Sequence, residues 1–134
     1  AEGAGAIVLS KLYKVVEGEA VLDDDTGLGM VRSAEMQQAG GSAGLSAPSG
    51  ACMHEVLALG LRRGELKSAE IDVVECHAHG MALADAVEAA AVGRVLRGDS
   101  TTPLALTDLK TNFGSGYAAS GLLALIKVIT GTLR

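Results

Sequence analysis

A chain of 134 residues holds one ordinary domain and is too short for two. Hydrophobic residues make up 49%, with one Phe, two Tyr and no Trp, so disorder is excluded and the core must be built from Ala, Val, Leu and Ile. The net charge is −5 and no basic stripe is interleaved with aromatics, which argues against nucleic acid; no apolar run is long enough to span a membrane.

The N-terminus carries neither an initiator Met nor a signal peptide, and the chain reads as beginning in the middle of a longer protein. Gly3 and Gly5 precede an apolar run, Ala6 to Leu9, expected to be a strand. A phosphate loop needs the opposite order, strand before glycines, so close backbone packing is the expected use of these two glycines. Lys11 to Glu17 reads as a short helix or turn. Asp23 to Gly27 is an acidic turn without the alternating oxygen ligands of a calcium loop. Leu28 to Met36 is expected to be a strand, and Gln37 to Gly50 a long loop. Ser49 is placed to cap a helix over Ala51 to Arg62, with Met53, Val56, Leu57 and Leu61 on one stripe and His54 off it, at the surface.

After a polar connection to Glu70, Ile71 to Glu75 reads as a strand. The polar turn C-H-A-H-G-M follows, and a helix is expected from Asp85, with Asp85 and Glu88 in its first turn, Arg94 and Arg97 near its end and Gly98 terminating it. Pro103 precedes a strand over Leu104 to Leu109, the loop T-N-F-G-S-G follows Lys110, and Tyr117 to Thr130 is an apolar helix expected to be mostly buried. Alternating strands and helices predict an α/β fold with a mostly parallel sheet. The ends of the two later strands should lie side by side, where α/β proteins place their chemistry.

His77 leaves a strand directly, behind the acidic Glu75, where it can act as a general base or donate to an oxyanion. Lys110 at the end of the next strand can hold a carboxylate or bias a neighbouring imidazole. His77-x-His79 also admits a metal reading, but alternate residues of an extended segment point to opposite sides and no third ligand is near in sequence. Gly114 to Ala119 fits G-x-G-x-x-A, a dinucleotide fingerprint, without the acidic residue that should follow. Cys52 and Cys76 read as free, buried or half-buried thiols, and the cysteine usage suggests an intracellular, cytoplasmic setting.

Four ordered stretches carry a resemblance. V-E-C-H-A-H-G-M-A-L-A-D-A-V-E-A resembles the V-E-x-H-G-T-G-T-x-L-G-D-P-I-E-A segment of β-ketoacyl synthases, in particular the ketosynthase domains of modular-type polyketide synthases. L-K-T-N-F-G-S-G-Y-A-A-S-G-L-L-A-L-I-K resembles their K-S-N-x-G-H-x-x-A-A-x-G-x-x-x-x-I-K segment. E-G-A-G-A-I-V-L and G-L-S-A-P-S-G resemble two further family motifs, with an apparent insertion around Asp23 to Gly27.

The resemblance implies the C-terminal half of a thiolase-like α/β fold, homodimeric in full-length form. It implies decarboxylative Claisen condensation of an acyl thioester with a malonyl unit carried by an acyl carrier protein on phosphopantetheine. No cofactor or metal of the chain's own is implied. By position His77 matches the first catalytic histidine, Lys110 the supporting lysine, Glu88 a glutamate able to pair with that lysine, and Asn112 the family asparagine. His79 and Met81 stand where threonines contact pantetheine. Ser115 stands at the second histidine, and a hydroxyl supplies no titrating cation there. Ala78, Ala84 and Ala86 replace two glycines and a proline. The nucleophilic cysteine belongs to a half preceding residue 1, so residues 1–134 alone are expected to be inactive. A degenerate, non-catalytic ketosynthase-like partner or scaffold subunit is the alternative. Either way the isolated chain is expected to self-associate.

Overall fold

A pair of parallel strands, with the helix that joins them and a second helix packed on it, positions the site. The computed structural model describes residues 2–23, 27–40, 42, 44, 47–98 and 100–133. Asp24, Asp25 and Thr26 of the acidic turn, and Leu45 and Ser46 of the G-L-S-A-P-S-G loop, lie outside the described residues.

The chain opens with an antiparallel hairpin, β1 (Tyr13–Val16) and β2 (Glu19–Leu22), registered Tyr13 to Leu22 and Val16 to Glu19. A helix or turn was expected over Lys11 to Glu17. The hairpin forms because Glu17 and Gly18 both take positive φ, 53° and 87°, which is the turn that matches the twist of two adjacent strands. Residues 6–9 and 28–36, both expected to be strands, form no strand pairing among the described residues. The first segment lies beside the last helix: a Cβ on Gly5 would come within 3.1 Å of Ile126 and 3.2 Å of Leu122, so close packing is the use of that glycine. The second is held by side chains. The Arg32 guanidinium donates to the Gly64 carbonyl at 2.8 and 3.1 Å, the Ser33 hydroxyl donates to the Gly60 carbonyl at 2.9 Å, and Glu35 pairs with Arg63 at 2.7 Å.

Helix α1 spans Gly50–Arg63, capped as expected by the Ser49 hydroxyl, which accepts from the Cys52 N–H at 3.3 Å. Its Met53, Val56, Leu57 and Leu61 are half-buried and His54 is exposed. Strand β3 (Val73–Glu75) pairs in parallel with β4 (Ala105–Thr107), Val73 opposite Ala105 and Glu75 opposite Thr107. Both strands are shorter than their apolar runs, because each has a single partner and Leu109 already has helical dihedrals.

Between them α2 (Ala82–Leu96) packs on α1 and buries Ala91, Val92 and Leu96. It starts three residues before Asp85, since Ala82, Leu83 and Ala84 are good helix formers, and this places Glu88 in the second turn. Gly98, at φ 45°, closes it as expected. Arg97 follows, and its guanidinium donates to the carbonyls of Ser68, Ile71, Leu96, Thr102 and Pro103 at 2.6 to 2.9 Å. Five N–H groups in a fixed fork meet five backbone acceptors, so this one side chain ties the end of α2 to the approaches of β3 and β4.

A short helix, α3 (Lys110–Phe113), replaces the loop expected after Lys110. Asp108 accounts for it: its carboxylate accepts from the Thr111 N–H at 2.7 Å and hydroxyl at 2.6 Å, closing the first turn. The last helix, α4 (Ser120–Thr132), is entered through a 3₁₀ turn at Tyr117–Ala119. It was expected to be mostly buried, yet among its described residues only Ser120 is, because no second layer covers its outer face. No helix among the described residues is long and apolar enough to cross a membrane.

Among the described residues only four hydrophobic side chains are buried outright (Ala91, Val92, Leu96 and Leu109), while Val8, Met36 and Tyr117 are 96%, 94% and 88% exposed. Surface of this kind seeks cover. The chain by itself should therefore sediment as oligomers or larger aggregates at micromolar concentration. A monodisperse monomer with a sharp, reversible melt would contradict this.

Candidate active site at the ends of β3 and β4

The parallel register brings the two strand ends together, and the Cys76 N–H extends the ladder by donating to the Thr107 carbonyl at 2.7 Å. Beneath this junction lies Glu75, whose side chain is 7% exposed. Its Oε2 pairs with Lys127 of α4 at 2.7 Å and accepts from the Thr107 hydroxyl at 2.5 Å, while Oε1 is buried and has no partner among the described residues. A buried carboxylate costs a great deal unless it is paired and hydrogen-bonded, so Glu75 fixes α4 against both strands.

The turn from Cys76 to Met81 is held from α2. The Glu88 carboxylate accepts from the N–H groups of His77 at 2.6 Å and Ala78 at 2.9 Å. Asp85 accepts from those of His79 at 2.8 Å and Gly80 at 3.1 Å. Residues three apart on a helix share a face, so two side chains of one helix satisfy four consecutive N–H donors of the loop. Between them Ala78 is forced to φ 42°.

That left-handed residue overturns the expectation for the two histidines. Alternate side chains of an extended strand point apart, but the turn at Ala78 brings His77 and His79 to one side. Nε2 of His77 lies 3.0 Å from Nδ1 of His79, with ring centroids 5.2 Å apart. Lys110 reaches the same place from β4. Its ammonium donates to the His77 carbonyl oxygen and lies 3.4 Å from Nδ1 of the ring. The pairing of Lys110 with Glu88 that the resemblance allowed does not form, and each oxygen of Glu88 instead accepts from a backbone N–H group. Lysine and glutamate instead hold the His77 backbone from its carbonyl and amide ends.

Both histidines, Met81 and Glu88 line a cavity of about 620 Å³ that continues between α1 and α2 past Met53, Val56, Leu57 and Val92. Its walls are chiefly apolar, with the imidazoles as a polar group at one end. Ser115 and Asn112 do not line it. Ser115 is exposed, and its hydroxyl accepts from the Tyr117 N–H at 3.4 Å; Asn112 sits exposed on α3. Two imidazoles alone do not make a metal site, and among the described residues no group of three or more His, Cys, Asp or Glu is arranged to hold one. The G-x-G-x-x-A stretch departs from a dinucleotide turn, since α3 stands between β4 and Gly114, and a Cβ on Gly116 would meet Leu123 at 3.4 Å. Lys127, Thr107 and the role of Asp85 as a loop anchor were not foreseen; nothing in the pattern links Glu75 to a lysine 52 positions on.

Cys76 is a half-buried free thiol, as is Cys52. Burial pushes the Cys76 thiol up, and the carboxylates of Glu88, Glu75 and Asp108 push it the same way. The hydroxyl and then the N–H of Thr111 hold the Asp108 carboxyl below its usual range. Cys76 therefore sits in a negative environment, the reverse of what a nucleophilic cysteine needs.

The family model described as "Beta-ketoacyl synthase, C-terminal domain" matches residues 28–131. The chain is 37% identical over 132 residues to 5-methyl-1-naphthoate synthase of Streptomyces sahachiroi, covering 97% of this chain and 7% of that protein. It is 36% identical over 129 residues to erythronolide synthase EryA2 of Saccharopolyspora erythraea, covering 96% and 3%. Among solved structures, the oxazolomycin ketosynthase domain OzmH KS7 of Streptomyces albus JA3453 superposes with a TM-score of 0.71 at 28% identity, covering 77% of this chain and 18% of that one. The OzmH KS8 domain does so with 0.66 at 30%, covering 68% and 25%. The chain thus spans a small part of the proteins it resembles.

A non-glycine residue at positive φ costs about 1–2 kcal/mol, of which glycine's extra unfolded-state entropy returns about 0.5–1. Ala78→Gly should therefore raise the urea midpoint, by about 0.5–1 kcal/mol of stability; a destabilised variant would show that Ala78 is not strained. Because only the thiolate alkylates, and the Cys76 thiol is raised, its pH–rate curve with iodoacetamide should lie above that of a model thiol, and Glu88→Gln should move it down. A curve at the model position would contradict the environment described.

Proposed function

Since the chain belongs to the β-ketoacyl synthase family, as its C-terminal domain with the thiolase-like fold, we propose that it supplies one wall of the condensing site of a polyketide-type ketosynthase. The observation that carries this reading is the array of Lys110, His77 and His79 where β3 and β4 end side by side, opening on an apolar cavity. In the reaction, a malonyl thioester loses carbon dioxide and leaves an enolate whose charge rests on the thioester oxygen. The enolate carbon attacks an acyl thioester, a carbon–carbon bond forms, and the carbon–sulfur bond breaks to release the thiolate. N–H donors aimed at the enolate oxygen stabilise the first step. The array offers them without a metal.

The acyl-bearing cysteine, in this reading, comes from another part of the ketosynthase fold, and residues 1–134 do not condense substrates alone. The malonyl and acyl groups arrive on the phosphopantetheine of an acyl carrier protein, the full-length form is a homodimer, and the setting is cytoplasmic. No cofactor of the chain's own is required.

One observation favours a second reading, a non-catalytic ketosynthase-like partner. Ser115, at the position of a second histidine, offers no imidazole and turns its hydroxyl to its own backbone. Both readings are separated by assaying malonyl-carrier decarboxylation and condensation by the full-length protein. Under the catalytic reading, wild type turns over, and His77→Ala and Lys110→Ala each lower the rate by about 100-fold or more. Equal rates in wild type and both variants, at background level, would establish the non-catalytic partner.

A further inference from the structure

Both ring nitrogens of His77 are occupied. Nδ1 lies 3.4 Å from the Lys110 ammonium and Nε2 lies 3.0 Å from Nδ1 of His79. An ammonium group has donors and no acceptor, so Nδ1 of His77 accepts. A neutral imidazole then carries its proton on Nε2, which donates to Nδ1 of His79. By the same rule His79 carries its proton on Nε2. Among the described residues, that N–H is the one ring donor of the pair without a partner, on a side chain that lines the cavity. Ser115, by contrast, lies outside the cavity lining and accepts from its own turn.

The geometry points to His79 as the catalytic imidazole that meets the thioester oxygen, with His77 and Lys110 as positioning residues behind it. The condensing-site reading underlies this inference, which changes which ring touches substrate and moves His79 from a carrier contact to the reacting centre. The array also balances as a proton path. In decarboxylation without an acyl acceptor, when the enolate takes the Nε2 proton of His79, Nδ1 of His79 receives the Nε2 proton of His77. Nδ1 of His77 then receives a proton from the Lys110 ammonium. Both rings end neutral in the opposite tautomer, the substrate gains one proton, and Lys110 recovers its own from solvent.

The test uses the full-length protein and malonyl-carrier decarboxylation, with KM and kcat measured separately. His79→Ala and His79→Thr should lower kcat by about 100-fold while KM stays within about twofold. His79→Gln, whose amide N–H reaches the place of Nε2, should stay within about tenfold of wild type. Long-range proton–nitrogen spectra of the wild type should show both rings protonated on Nε2, a readout that does not depend on any variant folding. A rise in KM at unchanged kcat, or a normal kcat in His79→Ala beside an inactive His77→Ala, would overturn the inference and leave the condensing site standing. So would a His79 protonated on Nδ1. Normal turnover in both alanine variants would overturn the condensing-site reading along with it.

Discussion

Four consecutive backbone N–H groups, those of His77, Ala78, His79 and Gly80, end on two carboxylates of one helix. Everything else at the site depends on this. A loop leaving a parallel strand has no ladder partner for its amides, and each unsatisfied donor that loses water costs about 1–3 kcal/mol. Asp85 and Glu88 remove that cost together, and charge-assisted bonds of this kind are about twice as strong as neutral ones. The constraint has a side effect that matters more than its energy. Gripping both ends of the turn forces Ala78 into the left-handed region, and that reversal puts two imidazoles on one side of the chain.

The rest of the frame makes the grip possible. The carboxylates can reach the loop only if α2 starts beside the end of β3 and runs back along the sheet. Arg97 sets the far end of α2 by collecting four carbonyls from the segments that lead into both strands and a fifth from Leu96 of α2 itself. Glu75, with Lys127 and Thr107, fixes α4 against the ends of both strands. Lys110 then arrives from β4 at the carbonyl of His77, whose amide Glu88 already holds. Few residues are buried, so polar anchors rather than a large apolar core define the geometry.

Much of this was legible in the sequence where local signals agree. Ser49 before an apolar stripe marked α1, Gly98 marked the end of α2, and strand–loop–helix alternation placed His77 and Lys110 at neighbouring strand ends. The family motifs, borne out by the comparisons, marked the fold class. What was not legible depended on long-range pairing or on unusual dihedrals. The run at Ala6 to Leu9 has strand chemistry but meets a helix, and Leu28 to Met36 is held by Arg32, Ser33 and Glu35 instead of a ladder. The sidedness of His77 and His79 was misjudged because alternation assumes negative φ, and an alanine gives no warning of a left-handed turn. The resemblance allowed Glu88 to pair with Lys110, whereas its carboxylate takes the amides of His77 and Ala78, and bare loop amides leave no mark in the pattern.

Amide hydrogen exchange at His77, Ala78, His79 and Gly80 tests the carboxylate grip most directly. If it orders the site, all four amides are protected in the wild type. Glu88→Gln then speeds exchange at His77 and Ala78 by about tenfold or more, and Asp85→Asn does the same at His79 and Gly80, as the loss of charge-assisted bonds worth about 1.5–3 kcal/mol requires. Four unprotected amides in the wild type, or rates indifferent to both substitutions, would contradict it.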